Sequence, residues 1–265
     1  MTPTFLCLGA GVQSSAMLLY IYDGVIKKPD YIVFSDTGSE MPYTYEHIEN
    51  TLKPFCEEKL NMPLIVVRGG KIEDGAFQDY DLHEFYYERN LIPMRGIRSC
   101  TDRFKIAPIR RFMRSIVGFT NKGTINKNGS LLKKTHLCSI QLGITTDENH
   151  RMHTSDVKWV RNTFPLIENN LSWTDCKERM AQEGWSTEKS GCFICPYQGL
   201  KSWRLLRTRY PPLFIKALDM EEALITKRPN RTYGFLREKI LLKDFNWKGE
   251  KEELFSGCDD FYCFT

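Results

Sequence analysis

The sequence predicts an α/β protein built on a doubly wound, mostly parallel sheet, with a mostly helical C-terminal part that carries a cysteine cluster. Three observations predict it. Apolar runs with strand spacing alternate with apolar runs of helical spacing from Thr4 to Gly69. Turns of small or acidic residues close the first two strand runs. Beyond Asp147 strand-like runs nearly vanish, while Trp159, Trp173, Trp185, Trp203 and Trp247 stand among helix-spaced segments. Strict alternation implies right-handed βαβ units and a parallel sheet covered on both faces, with ligands outside the carboxyl ends of its strands.

The elements follow in order. "TFLCLG" reads as a strand and "SSAMLLYIYDGVI" as a helix with Ser14 or Ser15 as N-cap. "DYIVFSD" is a second strand, "YTYEHIENTLKPFCEEKL" a helix and "PLIVVRG" a third strand. "FKIAPIRRFMRSIVGF" predicts a basic helix after Pro108, and "TNKGTINKNGSLLKKT" a hairpin or loop from its Asn-Lys-Gly and Asn-Gly turn signals. "HLCSIQLGITT" (136–146) returns to strand character and is expected to rejoin the sheet. The natural description is an α/β domain over 1–150 and a mostly helical region over 151–265, an approximate cut through what can be one integrated domain.

Composition narrows the class. With 265 residues, 42% of them hydrophobic, the chain is long enough for a substantial core and is not a disordered protein. Its 37 basic and 33 acidic residues leave a net charge of +4, which permits contact with nucleotides or nucleic acid without arguing for it. No stretch approaches the about 20 apolar residues of a membrane span, and no signal peptide opens the chain, so a cytoplasmic protein without membrane attachment is expected. The nine cysteines, an odd number without a secretion signal, argue for thiols or ligation of a metal or cluster rather than a disulfide framework. Cys7 and Cys56 fall on an apolar strand and a helical face, as ordinary buried thiols.

Three stretches carry chemistry. Gly9, Ala10, Gly11, Gln13, Ser14 and Ser15 bury little themselves, but a strand, a small-residue turn and a helix start make an anion site from backbone N–H groups and the helix dipole. An ordinary strand-to-helix connection is the plain alternative. In "VFSDTGSEMPYTYEHI", Asp36, Thr37 and Gly38 put a carboxylate and a hydroxyl beside a backbone that a ligand can approach closely; alone, the Asp would read as an Asx turn. Cys192 and Cys195 in "SGCFICPYQG" form a Cys-x-x-Cys, open to a metal or cluster, a redox dithiol or a fortuitous pair.

Together, "LGAGVQSSAMLL", "VFSDTGSEMPYTYEHI" and "RSCTDRFKIAPI" (98–109) resemble the phosphoadenosine-phosphosulfate (PAPS) reductase family of the PP-loop adenine-nucleotide α-hydrolases, which implies a Rossmann-like fold. The likeness continues in "LGITTDENHRM" (142–152) and "SGCFICPY" (190–197), so ordered motifs run from residue 8 to residue 197. By this resemblance Gly9, Ala10, Gly11, Gln13, Ser14 and Ser15 cradle the phosphates of an adenine nucleotide, ATP or a sulfonucleotide, while Asp36, Thr37 and Gly38 meet its ribose or base. Lys105 and Arg151 add cationic contacts, and Cys100, Lys105 and Arg151 are the implied catalytic set. Gln13 stands where ATP-cleaving members have Asp, and an amide cannot hold magnesium as a carboxylate would.

The cluster-bearing relatives imply a [4Fe–4S] centre, here on Cys100, Cys192, Cys195 and, since Thr101 replaces the usual second cysteine, Cys176. A zinc site drawing on Cys258 and Cys263 is the alternative. In "TTDENHRMH", Glu148 and Arg151 read as substrate or structural contacts and His150 and His153 as solvated. The basic run Arg103, Lys105, Arg110, Arg111 and Arg114 suits either a sulfonucleotide or nucleic acid, or a plain solvated face. The expectation is an enzyme of sulfur transfer or reduction, or of α-phosphate cleavage, with DNA or tRNA as an acceptor, a sulfur-donor protein as partner and a homodimer as an assembly. The rival is a non-catalytic nucleotide- or nucleic-acid-binding module with structural zinc.

Overall fold

The computed structural model describes residues 2–73, 76–120, 123–125, 131–132, 136–230, 233–236 and 240–247. Its strands are β1 (Thr4–Leu8), β2 (Tyr31–Asp36), β3 (Leu64–Arg68), β4 (Gly70–Glu73), β5 (Ala76–Asp79), β6 (Phe119–Thr120), β7 (Gly123–Ile125), β8 (Leu131–Leu132), β9 (Cys138–Gln141) and β10 (Val160–Thr163). The helices that matter below are α1 (Val12–Tyr22), α2 (Pro42–His47), α3 (Lys53–Glu58), α4 (Leu82–Tyr87), α5 (Ser99–Thr101), α6 (Ala107–Val117), α7 (Pro165–Glu168), α8 (Trp173–Gln182), α9 (Leu200–Arg209) and α10 (Pro211–Lys227). The chain forms two compact units that interleave in sequence: Met1–Ser35, Pro42–Val67 and Ile106–Ser190 in the first, and Asp36–Met41, Arg68–Lys105 and Gly191–Thr265 in the second.

The first unit is organised by a five-stranded sheet of order β10-β9-β1-β2-β3, with β1–β2, β1–β9 and β9–β10 all paired in parallel. The chain steps outward from β1 to β3 and then returns to the other side of β1, so the order reverses between β1 and β9. This is the doubly wound sheet expected, and the reversal is where such sheets leave a crevice at the carboxyl ends of their strands. Burial on both faces explains the unbroken apolar runs. Leu6, Leu8, Ile32 and Phe34 join a core with α1, whereas Phe5 and Val33 face the other way onto Ile109 and Met113 of α6. Helix α1 is apolar nearly all round because eight of its eleven residues are buried.

Two local features differ from the sequence reading. The N-cap of α1 is Gly11, so the helix starts before Ser14 and Ser15. Strand β10 lies beyond Asp147 and extends the sheet past residue 150; as an edge strand with Arg161 exposed, it lacks the apolar pattern that marks interior strands. Between α2 and α3 the helical run 42–58 passes through a π turn at Ile48–Leu52, where Lys53 N–H bonds Ile48 O directly ahead of Pro54. Proline has no N–H to offer an α register, and the wider turn absorbs the break.

The second unit contains the antiparallel β4–β5 hairpin, α4, α5, α9 and α10. Trp203 and Leu206 of α9 and Met220 and Leu224 of α10 are buried with Phe235, whose ring lies 5.2 Å from that of Trp203. Glu221 of α10, 2% exposed, accepts 2.7 Å bonds from both Phe235 N–H and Leu242 N–H. Gly234 has room for nothing more, since a Cβ there would lie 2.8 Å from Glu221 Oε1. No helix among the described residues is long and apolar enough to cross a membrane.

Candidate functional site

In the first unit the chain leaves β1 through Gly9, turns at Ala10 with φ 55°, and enters α1 from an extended Gly11. The Ser14 hydroxyl shapes the turn: its Oγ accepts from Gly9 N–H at 3.1 Å and Gly11 N–H at 3.2 Å and donates to Gly11 O. Like every helix start, the first turn of α1 leaves N–H groups without an intrahelical acceptor, here those of Val12, Gln13 and Ser14. They lie at the carboxyl end of β1, beside the sheet reversal. The connection after β9 comes close to this turn, and a Cβ on Gly143 would stand 3.2 Å from Ser14 N and 3.3 Å from Met17 Sδ. A side chain there would make the turn or the loop give by a few tenths of an ångström.

The side chains around the turn divide by role. Gln13 Nε2 donates to Glu148 Oε1 at 3.2 Å, and Arg151 Nη1 meets Glu148 Oε2 at 2.5 Å. Glu148 is fully buried; burial raises its carboxyl pKa, and Arg151 pulls it back down. Arg151 Nε is buried without a partner. Ser15 faces elsewhere: it is fully buried, and its hydroxyl lies 3.1 Å from His47 Nε2. Burial lowers the His47 pKa to about 4, so the ring is neutral, and Trp185 stands edge-on to it. Sequence reasoning missed His47, because one histidine in an amphipathic helix carries no local signal. His150 and His153 are exposed, as expected.

In the second unit the "SDTGSE" and "SGCFIC" stretches, 150 residues apart in the chain, meet. Residues Glu40 and Cys192 form an antiparallel bridge, flanked by bonds from Met41 N–H to Gly191 O and from Phe193 N–H to Ser39 O. Asp36 makes the Asx turn, accepting from Gly38 N–H at 2.8 Å, and its other oxygen lies 3.1 Å from Arg68 Nε. Arg68 also reaches Asp81 at 2.7 Å. Gly38 has φ +69°, and a Cβ there would fall 1.8 Å from Asp81 Oδ1, so no other residue fits this backbone.

Beside this turn, buried Glu40 collects its neighbours: Thr37 Oγ1 donates to it at 2.9 Å, Cys192 Sγ at 3.5 Å, and Lys105 Nζ stands 3.5 Å away. Burial, then the Glu40 charge, push the Cys192 thiol pKa well up, while Lys105 and Thr37 oppose them. A pocket opens here, lined by Thr37, Arg98, Cys100, Lys105, Cys192 and Cys195, with Leu82, Ile194 and Tyr197 as its apolar wall.

The expected ligand set divides. Cys100, Cys192 and Cys195 share the pocket, but Cys176 lies in the core of the first unit, where burial pushes its thiol to about 12. Among the described residues no three His, Cys, Asp or Glu side chains gather closely enough to hold a metal ion. The arrangement thus does not fit a four-thiolate centre as it stands. Cys258 and Cys263 lie outside the described residues. Of the basic run, Lys105 reaches Glu40, Arg110 is paired with Asp156, Arg114 lies over the Trp159 ring, and Arg103 lies over the Phe85 ring.

Three comparisons with known proteins bear on the chain. No protein-family model matches it. It is similar to an uncharacterized protein of Methanocaldococcus jannaschii, with 21% identity over 223 residues, 82% of this chain. The chain spans about half the length of that curated relative, 45% of it. Among solved structures it is similar to phosphoadenylyl-sulfate (PAPS) reductase from Candida auris in a phosphate complex, at 13% identity and a TM-score of 0.44, covering 71% of this chain and 75% of that one.

Proposed function

We propose that the chain is an enzyme that binds an adenine nucleotide or sulfonucleotide through the turn between β1 and α1, and acts in sulfur transfer or reduction or in cleavage at the α-phosphate. The observation that carries the reading is the first turn of α1: open N–H groups at the sheet reversal, shaped by the Ser14 hydroxyl and approached by Gly143. Gly9, Ala10 and Gly11 supply the bend and Gln13 a side-chain amide. Arg151, buried against Glu148, brings positive charge to the same unit. The order of the motifs along the chain supports the same assignment.

Thiol chemistry in this reading belongs to the pocket of the second unit. Cys100 and Cys195 are its half-buried thiols, and Arg98 and Lys105 are its cations. Cys192 is held as a thiol by burial and by Glu40 and serves as a structural hydrogen-bond donor in this arrangement.

A second reading, a nucleotide-binding module without turnover, is favoured by one observation: the first turn of α1 carries no acidic residue, and Gln13 is committed to Glu148. One preparation separates the two. The full chain, purified without oxygen, is titrated calorimetrically with ATP, AMP and a sulfonucleotide, assayed for iron and zinc, then incubated with ATP and magnesium while AMP, pyrophosphate and sulfite are followed. Binding with turnover is expected; binding without turnover leaves the module, and no binding of any of the three at millimolar concentration overturns both.

A further inference from the structure

We infer that the Ser190 hydroxyl is a ligand contact of the anion site, donating to the same oxygen that caps α1. The inference rests on the nucleotide-binding reading above and adds to it a residue from a distant segment of the chain. Helix α1 starts without a capping side chain of its own. Its N-cap is Gly11, which offers nothing to the N–H groups of Gln13 and Ser14. In most helices their acceptor is the oxygen of an N-cap serine, threonine or aspartate, just beyond its Cβ. In the proposed site an oxygen of the bound anion takes that place. A Cβ on Gly11 would stand 3.0 Å from Ser190 Oγ and 4.0 Å from Ser190 Cβ, so the hydroxyl rather than the carbon is turned toward the cap. An oxygen just beyond that Cβ position is within hydrogen-bond reach of Ser190 Oγ.

The segment that carries Ser190 is tied down beside α2 and α3. The Trp185 ring stands 4.9 Å from that of Phe55 and 6.2 Å from that of His47, and Tyr43 donates to Lys189 O at 3.0 Å. Ser190 itself is half-buried, within reach of a ligand at the turn. A hydroxyl that merely capped α1 would accept from Gln13 or Ser14 N–H; among the described residues Ser190 Oγ makes no hydrogen bond. The groups gathered here are donors. The first turn of α1 carries no acidic residue, and Glu148, the carboxylate that touches it, is engaged by Gln13 on one oxygen and by Arg151 on the other. Arg151 in turn has its Nε buried without a partner. Backbone N–H, hydroxyl and guanidinium together suit an anion with several oxygens, a phosphate or a sulfate, and offer nothing to a cation.

The test is calorimetry of the full chain with ATP and with inorganic pyrophosphate, each variant being checked by circular dichroism and melting. Ser190→Ala should weaken both ligands about tenfold, the low end for a hydrogen bond to a charged group, with Tm unchanged. Ser190→Asp places a carboxylate at the same helix end, which suits the helix dipole but repels an anion. It should weaken both ligands roughly 100-fold without lowering Tm. Thr187→Ala removes a hydroxyl from the same segment, one that donates to Glu188 O, and should change neither affinity. If Ser190→Ala lowers Tm, Ser190→Cys, nearly isosteric and a weak donor, should show the same loss of about tenfold. Wild-type affinity in Ser190→Ala or in Ser190→Asp, or an equal loss in Thr187→Ala, would overturn the inference and leave nucleotide binding standing. A wild-type chain that binds neither ligand overturns the anion site itself, a result distinct from a variant that binds as the wild type does.

Discussion

The turn after β1 and the cluster around Glu40 both sit just past the end of a sheet strand, yet they hold polarity in opposite ways. In the turn the chemically useful groups are backbone N–H donors, kept open by Gly11 and organised by one serine hydroxyl. In the cluster the useful groups are side chains, and Thr37, Lys105 and Cys192 all converge on Glu40. In the function proposed, the turn would therefore meet an anion with its donors already in place. The cluster gathers its own polar groups, and the carboxylate they share helps to hold Cys192 as a thiol.

The largest expected effect comes from breaking the cluster. Glu40→Ala removes the buried carboxylate that Lys105, Thr37 and Cys192 share, which should destabilise the chain by about 4 kcal/mol in urea unfolding. Because Glu40 raises the Cys192 pKa and Lys105 lowers it, the same variant should make Cys192 alkylate faster with iodoacetamide at a given pH. A loss below 1 kcal/mol with unchanged alkylation would show that Glu40 does not govern the cluster.

The two units should also answer pH in opposite directions. Burial holds the His47 pKa at about 4, below its ordinary 6.5, so the unfolded state takes up the proton first. Stability attached to His47 is present above pH 6.5 and is lost as pH falls toward 4, by up to about 3 kcal/mol. Glu221 behaves inversely. Burial lifts its carboxyl from 4.5 to about 7 against the pull of the Phe235 and Leu242 N–H groups. Its contribution is fully present below pH 4.5 and fades as pH rises through 7. Hydrogen exchange read by peptide at pH 5 and pH 7.5 should show α1 and α2 better protected at the higher pH, and α10 with residues 233–236 at the lower. His47→Gln and Glu221→Gln should each abolish one trend and leave the other; parallel trends in both units would break the contrast.

How much of this was written in the sequence follows the same division. The sheet interior was legible because Leu6, Leu8, Ile32 and Phe34 face one core while Phe5 and Val33 face the other, which forces continuous apolar runs. Edge strand β10 was not, since an exposed position such as Arg161 needs no apolar residue. The turn was legible through Gly9, Ala10 and Gly11, because bent and closely approached backbone restricts residue type. Ser15 was read as a phosphate contact, but the structure turns its hydroxyl onto His47, and no local pattern foretells a partner 32 residues away. The pairing of "SDTGSE" with "SGCFIC" escaped for the same reason: each motif was visible, and their antiparallel bridge was a matter of tertiary placement.

The smallest effect probes how closely the turn must be approached. An added methyl at Gly143 would lie 3.2 Å from Ser14 N, so the first turn of α1 or the loop after β9 has to give by a few tenths of an ångström. Such a shift leaves the core intact, and Gly143→Ala should cost no more than about 1 kcal/mol of stability. The ligand should notice more, because N–H groups aimed at an anion lose strength steeply when their geometry opens. Adenine-nucleotide affinity measured by calorimetry should fall about tenfold, equivalent to about 1.4 kcal/mol. Gly191 of the second unit provides the matched control, since a Cβ there meets nothing within 4 Å. Gly191→Ala should leave both stability and nucleotide affinity unchanged. Equal losses in the two variants would mean that the approach of Gly143 to α1 is ordinary packing, and that the anion site does not depend on it.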